Sequence, residues 1–358
     1  MPKVLIIADD LTGALDAAVA FSRPGLRVSV ARTLGGLREC LRDGADVIAV
    51  NTASRDATEE HALTALQEIA AVIDLGALPV LMKKVDSRLK GHPAAEARAL
   101  AELSGRSRLV AAPALPRMGR IQVAGTITGT GVANPLPIAA RLGAAALCPD
   151  IRTSADMNKL VTDLGLDPHK LWIGASDLAF SLARALYGTA VQPAPTLPQD
   201  MAVLVGSRDP ITVMQVTHLE HAGATIHRAP NGCAPSVWID RHPFILMMTP
   251  GPHPCDAARA AHQFAETACT ALRQMRPEGM ICTGGETANA IMAQMETDSL
   301  DLLGEVAPGI PAAAISTPWG RVTLATKSGG FGQADTLTRL ALGRNLPDNS
   351  EYSQDECR

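Results

Sequence analysis

Short apolar runs rich in valine, isoleucine and leucine alternate along this chain with alanine-rich stretches of helical periodicity, beginning at the first residues. Runs of five or so β-branched residues read as buried strands, and the longer amphipathic stretches read as helices, so the alternation predicts βαβ units and a parallel sheet. In the N-terminal half the rhythm occurs four times: "KVLIIA" then "GALDAAVAF", "RVSVA" then "LGGLREC", "DVIAV" then "TEEHALTALQEIAAV", and "PVLMKKV" then "PAAEARALAEL". A further strand, "RLVAAPA" at 108–114, extends that sheet. Residues 116–136 change character to glycine- and threonine-rich hairpin or loop chemistry, and 137–200 read as helices and turns.

The segment "VQPAPTLPQD" at 191–200 carries three prolines in ten residues without helical periodicity and is the best linker. After it the rhythm restarts. "MAVLVGS", "FILMMT" and "GMICTGG" are strands, each followed by a helix, and "GRVTLATKSGGFG" leads to a helix from about 334 to 343. The fold class expected is therefore α/β, with two α/β domains, each a mostly parallel sheet flanked by helices. Their bounds are 1–195 and 200–345, with a polar tail at 346–358 that frays. A length of 358 residues agrees with two cores rather than one.

Composition narrows the function classes. Lys+Arg number 32 against Asp+Glu 36, so no basic field favours nucleic acid, and aromatic residues make up only 3%. No apolar run reaches membrane-spanning length and residues 1–20 lack the pattern of a secretory leader, which points to the cytoplasm. Seven scattered cysteines never approach zinc-site spacing and suit reduced thiols. The nearest histidine pair, His218 and His221, reads as an ordinary surface pair on a helix, and no structural metal is expected.

Ligands of open parallel sheets bind where strands end and helices begin. Three such loops in the N-terminal half carry charge: Asp9-Asp10-Leu11-Thr12-Gly13, the stretch 51–56 with Arg55, and 83–92 with Lys83, Lys84, Asp86 and Ser87. These loops converge if the sheet is doubly wound. Each has a plain alternative: Asp10 or Thr12 as a helix cap, Arg55 as a solvated charge. Two lysines directly after an apolar strand are harder to place on a solvated face. Together the loops offer Lys84, Arg55 and Lys83 for an anion and Asp10, Asp86 and Ser87 for hydroxyls, a combination suited to a small sugar acid.

In the C-terminal half, Gly284 and Gly285 stand between a strand and a helix that begins near Glu286 or Thr287. "KSGGFG" at 327–332 is a second glycine-rich turn, and Gly206-Ser207 a third. Backbone N–H groups in such turns can approach phosphate oxygens. The P-loop pattern is absent because the chain has no Gly-Lys dipeptide, and no dinucleotide fingerprint follows a predicted strand.

In their order along the chain, "ADDLTGALD", "NTASR", "KKVDSRLKGH", "PALPRMGR", "GS" with Thr212 and Gln215 downstream, "GGETA" and "KSGGFG" resemble the four-carbon acid sugar kinases, which phosphorylate threonate, erythronate or 3-oxo-tetronate with ATP. The chain departs from the family's usual residues at His92, at Arg208-Asp209 after Ser207, at Glu286 and at Gly330. The resemblance implies an N-terminal domain for the acid, a C-terminal domain for ATP and its Mg2+, and phosphoryl transfer in the cleft between them. It carries the acid site to Asp9, Asp10, Arg55, Lys83, Lys84, Asp86 and Ser87. It carries the nucleotide site to Ser207, Gly284, Gly285, Glu286, Thr287, Lys327, Ser328, Gly329, Gly330 and Phe331. On that reading Asp10 is the first choice of base and Asp86 the second. Lys84 and Arg55 fix the substrate carboxylate, Lys327 holds phosphate, and Glu286 and Asp335 are the metal-side carboxylates. The expected partners are the sugar acid and ATP, with self-association into a homo-oligomer left open. Rival readings are a sugar-acid dehydrogenase or isomerase, and a sensor that binds both ligands without turnover.

Overall fold

All five residues of the first strand, β1 (Val4–Ala8), are buried, as expected of a central strand covered by helices on both faces. The computed structural model describes residues 1–143, 146–234 and 243–343, so the polar tail from 346 to 358 lies outside the described residues. The chain divides into two compact units, Met1–Gln192 and Pro193–Arg358.

In the first unit α1 (Leu11–Ala18), β2 (Val28–Ala31), α2 (Leu34–Arg42), β3 (Val47–Asn51), α3 (Glu59–Val72), β4 (Val80–Lys84), α4 (Pro93–Ser104) and β5 (Arg108–Ala112) follow in the predicted order. Among α1 to α4, threonine side chains cap two helices, Thr33 for α2 and Thr58 for α3, each accepting a hydrogen bond from an N–H in the first turn. Next come a small antiparallel sheet, β6 (Arg120–Val123), β7 (Thr126–Gly129) and β8 (Leu136–Pro137), and the helices α5 (Ile138–Leu142) and α6 (Ser154–Leu164). The segment then gives a result the pattern did not predict: β9 (Lys170–Gly174), entirely buried, pairs in parallel with both β4 and β5 and separates them. Helix α7 (Ser176–Tyr187) closes the unit. The strand order is β2-β3-β1-β4-β9-β5. The chain builds to one side of β1 with β2 and β3, then crosses to the other with β4. This reversal is the switch point where open α/β sheets bind ligands.

The second unit runs β10 (Met201–Val205), α8 (Pro210–His221), β11 (Ile226–Pro230), β12 (Phe244–Thr249), α9 (Ala257–Met275), β13 (Gly279–Thr283), α10 (Gly285–Gln294), β14 (Ser299–Ala307), β15 (Ile310–Thr317), β16 (Gly320–Lys327) and α11 (Thr336–Leu342). Its strands lie in the order β11-β12-β10-β13-β16-β15-β14. The first five are parallel, and β14 and β15 add an antiparallel hairpin beyond β16. Helix α8 packs with α11 and α9 with α10. Val216, Leu219, Leu337 and Leu340 form one apolar layer against Val203, Val205 and Ile281. His218 and His221 are exposed in the last turn of α8, the surface pair expected.

Candidate functional site

In the first unit Ala8 lies opposite Asn51 on one side and Lys84 on the other, so three strands end level and their loops leave the same edge side by side. Asp10 is the cap of α1. Its backbone is extended and its Oδ1 accepts the Gly13 N–H at 2.7 Å, which leaves Thr12 out of that role. Arg55 reaches across from the loop after β3 and lies between the two aspartates. Its Nε and Nη2 donate to Asp9 at 3.1 and 2.7 Å, and its Nη1 and Nη2 donate to Asp10 at 2.6 and 2.9 Å. The Ser54 and Arg55 N–H groups also donate to the Asp9 carbonyl, and Ala53 adopts a left-handed φ of 51° to make the turn.

This geometry separates the two carboxyls. Burial pushes Asp9 up, but the Arg55 hydrogen bond and the charges of Lys83, Arg55 and Lys84 outweigh it, and the group lies below the ordinary carboxylate value. Burial also pushes Asp10 up, and there Arg55 and Lys84 do not cancel it, so Asp10 lies above that value. Arg55 is raised further still. Burial opposes its charge, but the bonds and charges of the aspartates more than compensate.

Arg55 therefore differs from the sequence expectation, because nearly all of its donors are engaged within the chain rather than facing a ligand. The adjacent lysines differ from each other. Successive residues of a strand point to opposite faces, so the two lysines meet different neighbours: Lys84 acts on Asp10, and Lys83 acts on Asp9 and is paired with Glu96. It is fully buried, with its ammonium 2.8 Å from Glu96 Oε1. The Ser54 hydroxyl donates to the same Glu96 oxygen at 2.8 Å and stands 2.8 Å from Thr52 Oγ1. The geometry takes Lys83 out of the ligand-contacting set and makes it part of the support beneath the loop after β3.

Lys84 is 6% exposed and makes one hydrogen bond, to the Val85 carbonyl at 3.0 Å. Two of its three N–H groups stay available, and among the described residues no carboxylate lies within ion-pair distance. A Cβ on Gly13 would lie 3.0 Å from the Lys84 ammonium and 2.6 Å from Asp10 Oδ1, so glycine there lets the cation approach the positive end of α1. Such a cation favours an anion.

The loop after β4 completes this edge. Asp86 Oδ1 accepts the Arg88 N–H at 2.9 Å, and Leu89 turns the chain with φ 56°. The Ser87 hydroxyl accepts a hydrogen bond from Arg120 Nη1, and Arg120 Nε donates to the Thr130 carbonyl at 3.0 Å. Arg120 was not among the candidates. The signal available was its place in "PALPRMGR", but nothing in spacing alone brings the small antiparallel sheet to the β4 loop. His92 Nε2 stands 2.7 Å from the Ala57 carbonyl and ties α4 to the loop after β3.

In the second unit the loops after β10, β13 and β16 likewise share an edge, with Val205 opposite Thr283 and Thr283 opposite Lys327. A Cβ on Gly206 would overlap the Thr287 hydroxyl, and one on Gly329 would overlap the Ser207 hydroxyl, so glycines bring the three turns together. Gly284 adopts φ 94° and caps α10 without a side-chain bond, which leaves the first N–H groups of that helix without helical acceptors. Ser207, Gly284, Gly285, Glu286, Thr287 and Gly329 thus gather at one edge, with Glu286 exposed in the first helical turn.

Lys327 is not available to phosphate as expected. It is 1% exposed, and its ammonium donates to Thr212 Oγ1 at 3.1 Å and to the carbonyls of Ser328, Gly329 and Phe331 at 3.0, 3.2 and 3.1 Å. Phe331 packs on the β14–β15 turn, where a Cβ on Gly309 would come within 2.6 Å of its ring. Gly330 passes over Asp209, whose carboxylate caps α8 through the Ile211 N–H. Asp335 pairs with Arg339 at 2.5 Å. Among the described residues no three acidic, histidine or cysteine groups cluster to cage a metal, the six cysteines there are free thiols, and no helix is long and apolar enough to cross a membrane.

Comparison with known proteins adds to this geometry. A family model described as a sugar-binding N-terminal domain matches residues 4–141, and one described as a nucleotide-binding C-terminal domain matches residues 246–337. A D-threonate kinase of Cupriavidus necator is 30% identical over 93% of this chain and 96% of its own length. A D-threonate kinase of Bordetella bronchiseptica is 27% identical over 95% and 97%. A solved structure from Salmonella typhimurium LT2 has a TM-score of 0.77 at 19% identity, covering 95% of this chain and 98% of that one, a likeness of fold.

Proposed function

The chain belongs to the four-carbon acid sugar kinase family, and from that premise we propose that it transfers the γ-phosphoryl group of ATP to a hydroxyl of a small sugar acid such as threonate or erythronate. The observation that carries the acid site is Lys84, a buried ammonium with unused donors beside a carboxyl of raised pKa. Lys84 receives the substrate carboxylate. The loop of Asp86 and Ser87, braced by Arg120, meets the polyol.

Phosphoryl transfer asks the protein to position the reactants, balance charge and accept one proton. The acceptor oxygen forms a bond to the γ-phosphorus as the bond to ADP breaks, and its proton passes to Asp10. Arg55 keeps Asp9 ionised and Asp10 oriented, and the raised value of Asp10 suits a proton acceptor better than the depressed value of Asp9. Phosphates rest on the N–H groups at the start of α10 and in the 327–332 turn, with the Ser207 hydroxyl between them. The donor set fits a Mg2+ held mainly by phosphates and water, with Glu286 as a protein carboxylate, because Asp335 is paired. When bound, that ion neutralises charge on the phosphates. ATP as co-substrate and free thiols support a cytoplasmic setting.

The test is ADP release by the purified protein over a panel of four-carbon acids. ADP formed with one or two acids and not with the others is the expected result. Thermal shifts with acid and ATP but no ADP would replace the kinase by a sensor.

A further inference from the structure

The glycine turn after β16 is held by its carbonyls. Three of them, from Ser328, Gly329 and Phe331, turn towards the Lys327 ammonium. Thr212 Oγ1 accepts from that ammonium and donates to the Gly329 carbonyl at 2.7 Å. Gln215 Nε2 donates to the carbonyls of Phe331 and Gln333 at 3.0 and 2.8 Å. All three side chains are buried, Thr212 and Gln215 completely. In a trans peptide the N–H points opposite to the carbonyl of the same unit. Drawing those three carbonyls inward therefore turns the N–H groups of Gly329, Gly330 and Gly332 away from the lysine. Among the described residues none of these three N–H groups has an acceptor in the chain. A run of outward N–H groups is an anion-binding concavity, and Ser207 stands against it.

We propose that Lys327, with Thr212 and Gln215, is a positioning group that shapes the phosphate site from beneath, holding the turn by its carbonyls without itself touching phosphate. The proposal rests on the nucleotide reading of the second unit. Protonation is part of the device. An ammonium has three donors for its four acceptors, and a neutral amine has two. Burial pulls Lys327 down to about 8, against the charge of Asp209, which is the charged group acting on it; Thr212, Gln215 and the turn's carbonyls are neutral. The nucleotide-competent turn needs the protonated form, so ATP affinity is full below that pH and falls as pH rises through it.

The experiment is calorimetric titration of the full chain with ATP, alongside steady-state kinetics. Lys327→Met weakens ATP binding by about ten- to a hundredfold, with KM for the acid unchanged. Thr212→Val and Gln215→Leu, which leave the buried charge in place, shift ATP affinity in the same direction by less. The wild-type affinity drops above pH 8 or so. If Lys327→Met fails to fold, the two neutral variants and the wild-type pH profile still decide. The inference is overturned if Lys327→Met binds ATP as tightly as wild type, or if Thr212→Val and Gln215→Leu leave ATP affinity unchanged while Lys327→Met abolishes it, the mark of direct phosphate contact. A wild-type protein without ATP affinity would overturn the nucleotide reading itself, and this inference with it.

Discussion

Lys84 and Lys327 occupy equivalent places in the two units. Each is the last residue of a strand with a parallel neighbour, at the edge that carries the candidate site's loops, and each is buried. Their surroundings are opposite. Lys84 has one carbonyl acceptor and sits against the first turn of α1, and the ammonium of Lys327 is enclosed by three carbonyls and a hydroxyl. A buried cation needs compensation, and whether the chain supplies it decides the role. Lys327, compensated from within, holds backbone in shape. Lys84 leaves room for a ligand's charge. Lys83, beside Lys84, extends the lesson: paired with Glu96, which also accepts from Ser54, it supports the loop after β3.

The largest expected effect is on the carboxyl that Lys84 faces. Asp10→Asn lowers kcat by about 10²–10⁴-fold with ATP affinity, measured by calorimetry, unchanged; undiminished turnover removes Asp10 from the reaction. On the proposed mechanism the base works ionised. Burial raises its pKa, so activity is lost as pH falls through a value above the ordinary 3.8, and the acid limb of the kcat profile lies there. Lys84→Met comes next: kcat/KM for the acid falls by roughly a hundredfold or more while ATP binding persists. The contrast between the two lysines breaks if Lys84→Met and Lys327→Met each weaken both substrates alike. The smallest effect on turnover is expected at Lys83. Lys83→Met alone leaves Glu96 buried and unpaired, at a cost of about 3–5 kcal/mol in stability, whereas Lys83→Met with Glu96→Leu removes both charges at little cost. Thermal unfolding reads the difference, and turnover of the double variant stays within a few fold of wild type. A collapse of turnover in that double variant would return Lys83 to the substrate site.

Much of the edge chemistry was legible because it lies in loops that follow recognisable strands. β1, β3 and β4 announce themselves by unbroken apolar runs, and level strand ends then bring Asp10, Arg55 and Lys84 together. The same unbroken burial hid the orientation of the lysines. β4 is buried on both faces, so no alternation of apolar and polar residues marks which of Lys83 and Lys84 is paired within the chain and which keeps donors free. Strand β9 was missed for another reason. It enters between β4 and β5 after an excursion through the small sheet and two helices, a pairing that local periodicity does not encode. The β14–β15 hairpin carries glycine, proline and an alanine run, "IPAAAIST", residues of weak strand preference.

The sequence by itself determined the α/β rhythm, the two units' strand-end loops and the inventory of charged and glycine residues at them. Local preference, apolar period and the conformational freedom of glycine act over a few residues and are written there. Tertiary structure alone decided what each charge does: that Arg55 is held by two aspartates, that Lys83 is paired with Glu96 and that Lys327 faces carbonyls. A cation's role depends on how many acceptors surround it, and those acceptors come from residues such as Glu96 and Thr212 that are near only once the sheet has formed.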